Sequence, residues 1–257
     1  MKKQNLYYRA TFRRFNLIKD SILGLVFHLC SYPRLLIEVF IRTDFGHRYF
    51  SLAAALSVFS LLAFIPFLQS GLYFDLDMLY YVLTDNPLWY GYLFTFLFFS
   101  WKRYRELKVK GGWYDHRWFS LSAGVRRDFF EKFTINGKTP NSRVMTIWIE
   151  PLPFFIVGIL LLFFHSILGI LLAFCSIMYC LSYMAAYHIG DNLIWDIIDE
   201  KIVSEATTKY YEGDEDTVAK RGVQFYTDRP DDKELGKIIA NGMNQKDDDS
   251  DETSYAF

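Results

Sequence analysis

Apolar residues in this chain gather in long blocks instead of alternating with polar ones. Positions 52–74 and 152–187 contain no Asp, Glu, Lys or Arg. Runs of about 18 or more apolar residues read as membrane spans, because in lipid only a helix satisfies its own backbone. One span is therefore expected from position 51. Ser51/Ala55 and Ala53/Ser57 put small residues four apart on it, which lets another helix approach closely. Pro66 predicts a kink. The stretch 75–85 carries three acids and no base. Asp85-Asn86-Pro87 then supplies a cap candidate and a proline for a first helical position. A second span over 88–104 would be about 26 Å long. The block 152–187 would be about 54 Å long as one helix, against a hydrocarbon core of about 30 Å. It therefore predicts two helices with a tight turn near 165–169, as a full or a re-entrant hairpin.

The segment 1–50 has a different pattern. Phe12, Phe15, Ile18, Ile22, Val26 and Leu29 recur every three or four positions, with Arg9, Arg13, Arg14 and Lys19 beside them. This predicts a basic amphipathic helix lying in the headgroup layer. Positions 21–41 are apolar enough to suggest a span. Pro33, Arg34 and Glu38 argue against one, since a charge at bilayer depth costs at least about 2.5 kcal/mol. The expectation is an interfacial helix broken at Pro33. Nothing in the first 20 residues reads as a cleavable signal, so the first span is expected to serve as an uncleaved one.

Charge sets the expected topology. Of the 28 Lys and Arg, nine lie in 1–50, none between the first two spans, eleven in 102–150, none in 151–187 and eight from position 188 on. Cytoplasmic loops attract these residues, so both termini and the central loop are expected inside. The region 1–50 nets +6, the central loop +6 and the tail −10. This opposition predicts that the tail folds back over the loop, through Arg126 and Arg127 on one side and Asp191, Asp196, Asp199 and Glu200 on the other. A helix is expected over 191–202, a short one over 125–133 and disorder over 247–257.

The fold class read from the sequence is thus an all-α integral membrane protein. About four transmembrane helices form two hairpins, with an N-terminal interfacial amphipathic helix, a cytoplasmic loop and an acidic cytoplasmic tail. Its parts are 1–50, the first hairpin 51–104, the basic loop 105–150, the second hairpin 151–189, the acidic tail 190–246 and the terminus 247–257. With 257 residues the chain has room for one or two compact domains. Expected membrane-edge anchors are Arg48, Tyr49, Phe50, Trp89, Trp101, Lys102, Arg103, Arg117, Trp118 and Trp148, on the preference of aromatics and cations for the interface. Several belong to an echo in which positions 47–54 match 116–123 at six of eight places.

Chemistry is thinly marked. No phosphate loop, nucleophile elbow or zinc-helix motif occurs. Cys30, Cys175 and Cys180 lack metal or disulfide spacing and read as small buried hydrophobes. His165 is the candidate intramembrane polar site, at the expected turn. His116 with Asp115 and His188 with Asp191 are pairs without a third donor. The expected partners are the lipid bilayer and other membrane proteins or further copies, not nucleic acid, with no cofactor. The leading expectation is a non-catalytic scaffold or assembly subunit docking partners at the cytoplasmic face, as in a secretion or transfer apparatus of a bacterial inner membrane. The alternatives are a small oligomeric transporter or channel subunit, and an inner-leaflet enzyme acting on lipid.

Overall fold

The computed structural model describes residues 5–12, 17–69, 76–109, 119–134, 137, 139–213, 218 and 221–244. It is mostly helical. A π-helical turn, Tyr8–Phe12, precedes α1 (Leu17–Ile41), β1 (Arg42–Thr43), α2 (Leu52–Gln69), α3 (Leu76–Asp85) and α4 (Pro87–Val109). Then come β2 (Val125–Arg126), α5 (Asp128–Glu131), α6 (Ser142–Val144), a second π-helical turn (Met145–Ile149), α7 (Leu152–Phe163), α8 (Ile167–Glu212) and α9 (Lys233–Met243). Among the described residues, three helical stretches are long and apolar enough to cross a membrane: Ser21–Ile41, Ser142–Phe163 and Ile167–Glu212. Leu52–Leu68 is a shorter apolar helix.

Two compact units emerge, Ser21–Tyr187 and Met1–Asp20 with His188–Phe257. In the first, α1 continues through Pro33, where a break was expected. A proline removes one N–H and crowds one carbonyl, yet the helix continues past it, with Leu35, Leu36, Ile37 and Val39 buried beyond that point. The expected helix over 191–202 is not a separate element either, since α8 runs unbroken past Gly190. One internal glycine costs only about 1 kcal/mol relative to alanine.

Prolines and helix ends leave orphan carbonyls, and side chains from neighbouring helices take them. Pro66 has no N–H to give the carbonyl of Leu62. The Trp89 indole N–H donates to it instead, at 3.1 Å, so α2 and α4 are pinned at that point. The Tyr90 hydroxyl donates to the next carbonyl, Ala63, at 3.1 Å. At the end of α1, Arg103 Nε donates to the Val39 carbonyl at 3.3 Å and Arg127 N–H to the Ile41 carbonyl at 3.3 Å. The last carbonyls of a helix lack partners within it, and a cation there also meets the negative end of the helix dipole.

Just past α1 the chain pairs with the central loop. Arg42 faces Arg126 and Thr43 faces Val125 in an antiparallel pair. The N–H groups of Gly46 and Arg48 donate to the carbonyls of Ser122 and Ser120, each at 2.9 Å. The two echo segments thus meet through their backbones, as far as the second one is described.

A turn at Phe164–Ser166 joins α7 to α8, with His165 at φ 56°. The two helices approach at Gly158 and Gly169. A β-carbon on Gly158 would lie 2.8 Å from the Ala173 backbone nitrogen, and one on Gly169 would lie 2.7 Å from the Gly158 carbonyl oxygen. Neither position has room for a side chain.

The second unit is built on the part of α8 from His188 onward. Tyr7, Tyr8 and Val203 form a small core with Phe12, Val223, Phe225 and Met243. Asp232 caps α9 by accepting from the Glu234 N–H at 2.9 Å.

Candidate functional site

Apolar helices of the first unit converge on a buried polar network. Arg34 and Glu38, four positions apart, share one face of α1, and Arg42 follows in β1 just past the helix end. Tyr179, Ser182 and Tyr183 form a matching stripe on α8. Glu150 is the third contributor. It sits where the second π-helical turn ends, its N–H donating to the Met145 carbonyl five residues back at 3.0 Å. Such turns carry an extra residue and re-aim the side chains that follow.

The two carboxylates are among the least exposed groups in the chain, Glu38 at 1% and Glu150 at 0%. Glu38 accepts from the Tyr183 hydroxyl at 2.5 Å and the Tyr49 hydroxyl at 2.8 Å. Its Oε2 lies 3.4 Å from Arg34 Nε, in ion-pair contact but off hydrogen-bond geometry. Arg34 Nη1 donates to Ser182 Oγ at 2.5 Å. Glu150 Oε2 accepts from Arg42 Nε at 3.1 Å and Nη2 at 2.8 Å, and from the Tyr179 hydroxyl. Its Oε1 lies 2.7 Å from Arg126 Nε, again an ion pair without hydrogen-bond alignment. The Arg42 guanidinium stacks 4.6 Å from the Tyr183 ring centre, and Tyr179 and Tyr183 lie 4.9 Å apart.

Three cations thus face two carboxylates, and three tyrosines donate to the acids. Burial foremost, and the Glu38 charge next, push the Tyr49 hydroxyl well above its ordinary pKa. It therefore stays a donor. Burial works against the Arg42 charge, but the surrounding Tyr179, Tyr183, Glu150 and Glu38 outweigh it and hold that group above its ordinary value. Arginine–carboxylate pairs of this kind are strong in low dielectric and costly to break singly. The network ties α1, β1, the loop carrying Tyr49, β2, the end of the second π-helical turn and α8 into one arrangement. Each carboxylate is engaged from several sides, which holds the geometry of the arrangement.

The expected anchors have varied surroundings. Tyr49 belongs to the network. Phe50 is buried, and Trp89 lies between α2 and α4. Arg103, expected to snorkel at the membrane edge, is buried at 1% exposure. It caps α1 and pairs with Glu106 at 2.6 Å. Arg48, Lys102 and Trp148 are exposed. Trp101 is exposed, with Arg105 over its ring at 5.0 Å. Arg117, Trp118, His116 and Asp115 lie outside the described residues. His165 is exposed at the turn.

The expected tail and loop contacts are likewise distributed. Besides Glu150, Arg126 meets Ser142 Oγ at 2.6 Å and Thr146 Oγ1 at 2.9 Å. Arg127 stacks 5.4 Å from the Phe99 ring, and burial, then the nearby Arg103, lower its pKa. On α8, Asp196 accepts from the Tyr8 hydroxyl at 3.3 Å and Glu200 from the Asn5 N–H at 2.9 Å. Asn5 also donates to Asn244 Oδ1 at 2.7 Å. Two of the four acids therefore hold the N-terminal segment. Asp191 and Asp199 lie on the same helix.

Arg34, Glu38, Arg42, Glu150, Tyr179 and Tyr183 were not among the expected site residues. The four-residue spacing of Arg34 and Glu38 in an apolar stretch, continued by Arg42 just past the helix end, is the signal that could have found half of them. Among the described residues no three His, Cys, Asp or Glu side chains gather as a metal site would need. Comparison with protein-family models, curated proteins and solved structures finds no match to this chain.

Proposed function

We propose that the protein is a non-catalytic, multi-pass membrane assembly subunit whose cytoplasmic face docks partner proteins. The observation that supports this is the closed network around Glu38 and Glu150. An ionisable group inside an apolar helix is a functional hypothesis by default. Here the charges are matched to one another, which suits a rigid scaffold better than a conduction path or a reaction. The helices also carry large exposed apolar side chains, among them Leu152, Ile156, Leu160 and Phe163 on α7, suited to lipid or to a partner's helix.

In this reading α2 and α4 form one membrane hairpin, and α7 with the first part of α8 forms another. Both termini and the central loop are cytoplasmic, in a bacterial inner membrane. The test is purification of the tagged chain from its native membrane in mild detergent. Stoichiometric companions are the expected result. Elution alone as a small defined oligomer would overturn the subunit reading.

A further inference from the structure

Where α2 begins and α4 ends, a groove of about 570 Å³ opens at the surface. Phe50, Leu52, Leu56 and Leu107 make its apolar wall, and His47 and Lys108 stand on its lining as the basic groups. No acid lines it among the described residues. Arg48, next to His47, is exposed as well. The Lys108 ammonium lies 4.8 Å from the Tyr104 ring centre, so the aromatic face steadies it beside the groove. A second groove, lined by Leu61, Leu171 and Phe174, has no charged group and would select no headgroup.

We propose that the groove at Lys108 holds one anionic phospholipid of the surrounding bilayer. Its phosphate would meet Lys108 and His47, and one acyl chain would lie along Leu52 and Leu56. Charge complementarity carries the choice of occupant. The wall runs from cation to hydrocarbon in the order in which a phospholipid runs from phosphate to chain. A zwitterionic lipid would bring its own ammonium towards Lys108 and Arg48, which disfavours it. The proposal rests on the reading of α2 and α4 as spans, which puts the groove at headgroup depth.

The test is native mass spectrometry of the purified full chain, released from nanodiscs of equal phosphatidylglycerol and phosphatidylcholine. One retained phosphatidylglycerol is expected, preferred roughly fivefold over phosphatidylcholine, the order expected for one cation near anionic lipid. Lys108→Glu should abolish the preference. Lys102→Glu makes the same charge change on the same helix at an exposed position off the groove, and should keep it. Ala53→Trp fills the groove without touching its charge and should reduce retention of both lipids. The proposal is overturned if the two lysine variants lose the preference equally, because that is diffuse attraction to a basic collar. Undiminished retention in Ala53→Trp would overturn it too. The span reading is tested separately by impermeant maleimide labelling of Ser51→Cys and Asp85→Cys in a background without Cys30, Cys175 and Cys180. Labelling from one side at both positions removes the spans. Labelling from opposite sides without lipid retention removes only the lipid site.

Discussion

Replacing Glu150 should destabilise the protein more than replacing any exposed acid. Glu150→Leu leaves the Arg42 guanidinium, whose side chain is 7% exposed, without its counter-charge. Removing one partner of a buried ion pair costs about 3–5 kcal/mol, because the other charge stays buried and unpaired. The Tyr179 hydroxyl loses its acceptor as well, a further penalty of about 1–3 kcal/mol. Arg126, 24% exposed, can turn partly to water and adds little. Taking about 3 kcal/mol as the lower bound, and roughly 2–4 °C per kcal/mol for a chain of this size, the melting temperature should fall by at least about 6 °C. Circular dichroism of the detergent-purified protein reads this directly. The companion variant Arg42→Met removes the cation, and the double variant replaces the pair by apolar groups of similar length. Such a replacement is often nearly neutral, so the double variant should melt higher than Glu150→Leu alone. A fall of less than about 3 °C in the single variant, or a double variant at the sum of the singles, would refute the account of the network.

Three other outcomes follow from single contacts. Trp89→Phe should cost about 1–3 kcal/mol by stranding the Leu62 carbonyl. Pro66→Ala restores a backbone donor to that carbonyl, so a thermal double-mutant cycle should show Trp89→Phe to be milder in that background; equal costs in both backgrounds would remove the explanation. Gly158→Ala should lower stability by about 1–3 kcal/mol through overpacking against the Ala173 backbone, and an unchanged melting curve would contradict the close approach. Burial foremost, then the charges of Asp196 and Asp199, raise the Tyr8 pKa to about 12 from an ordinary 10.0. A raised pKa stabilises the fold below the unfolded value and is lost as pH rises through the folded one. Docking of residues 5–12 should therefore weaken between pH 10 and about 12, read as faster limited proteolysis of the N-terminus. Tyr8→Phe should remove that alkaline step, and a step of unchanged size in this variant would show that another group carries it.

Long apolar runs and the turn signal were legible in the sequence because they depend on local chemistry. A run of 36 residues without charge cannot pack as one helix in a thin layer, and the structure turns at Phe164–Ser166, next to the expected 165–169. Pro87 was legible for the same reason: a missing N–H is harmless only at a helix start, and α4 begins there. Pro33 and Gly190 were not, because the cost of one imperfect residue is weighed against the packing of the whole helix, which no local pattern states.

Composition and periodicity by themselves determined a helical chain with membrane-length apolar segments. Tertiary structure alone decided what its charges are for. In the sequence, Arg34 and Glu38 count as penalties against burial, since an isolated ion in an apolar helix is expensive. That cost is offset by partners far away in sequence: Tyr183 for Glu38, Ser182 for Arg34, Glu150 for Arg42. The desolvation of a charge is a property of one residue and can be read locally. Its compensation is a property of a pair, and pairs 108 to 148 residues apart exist only once the chain has folded.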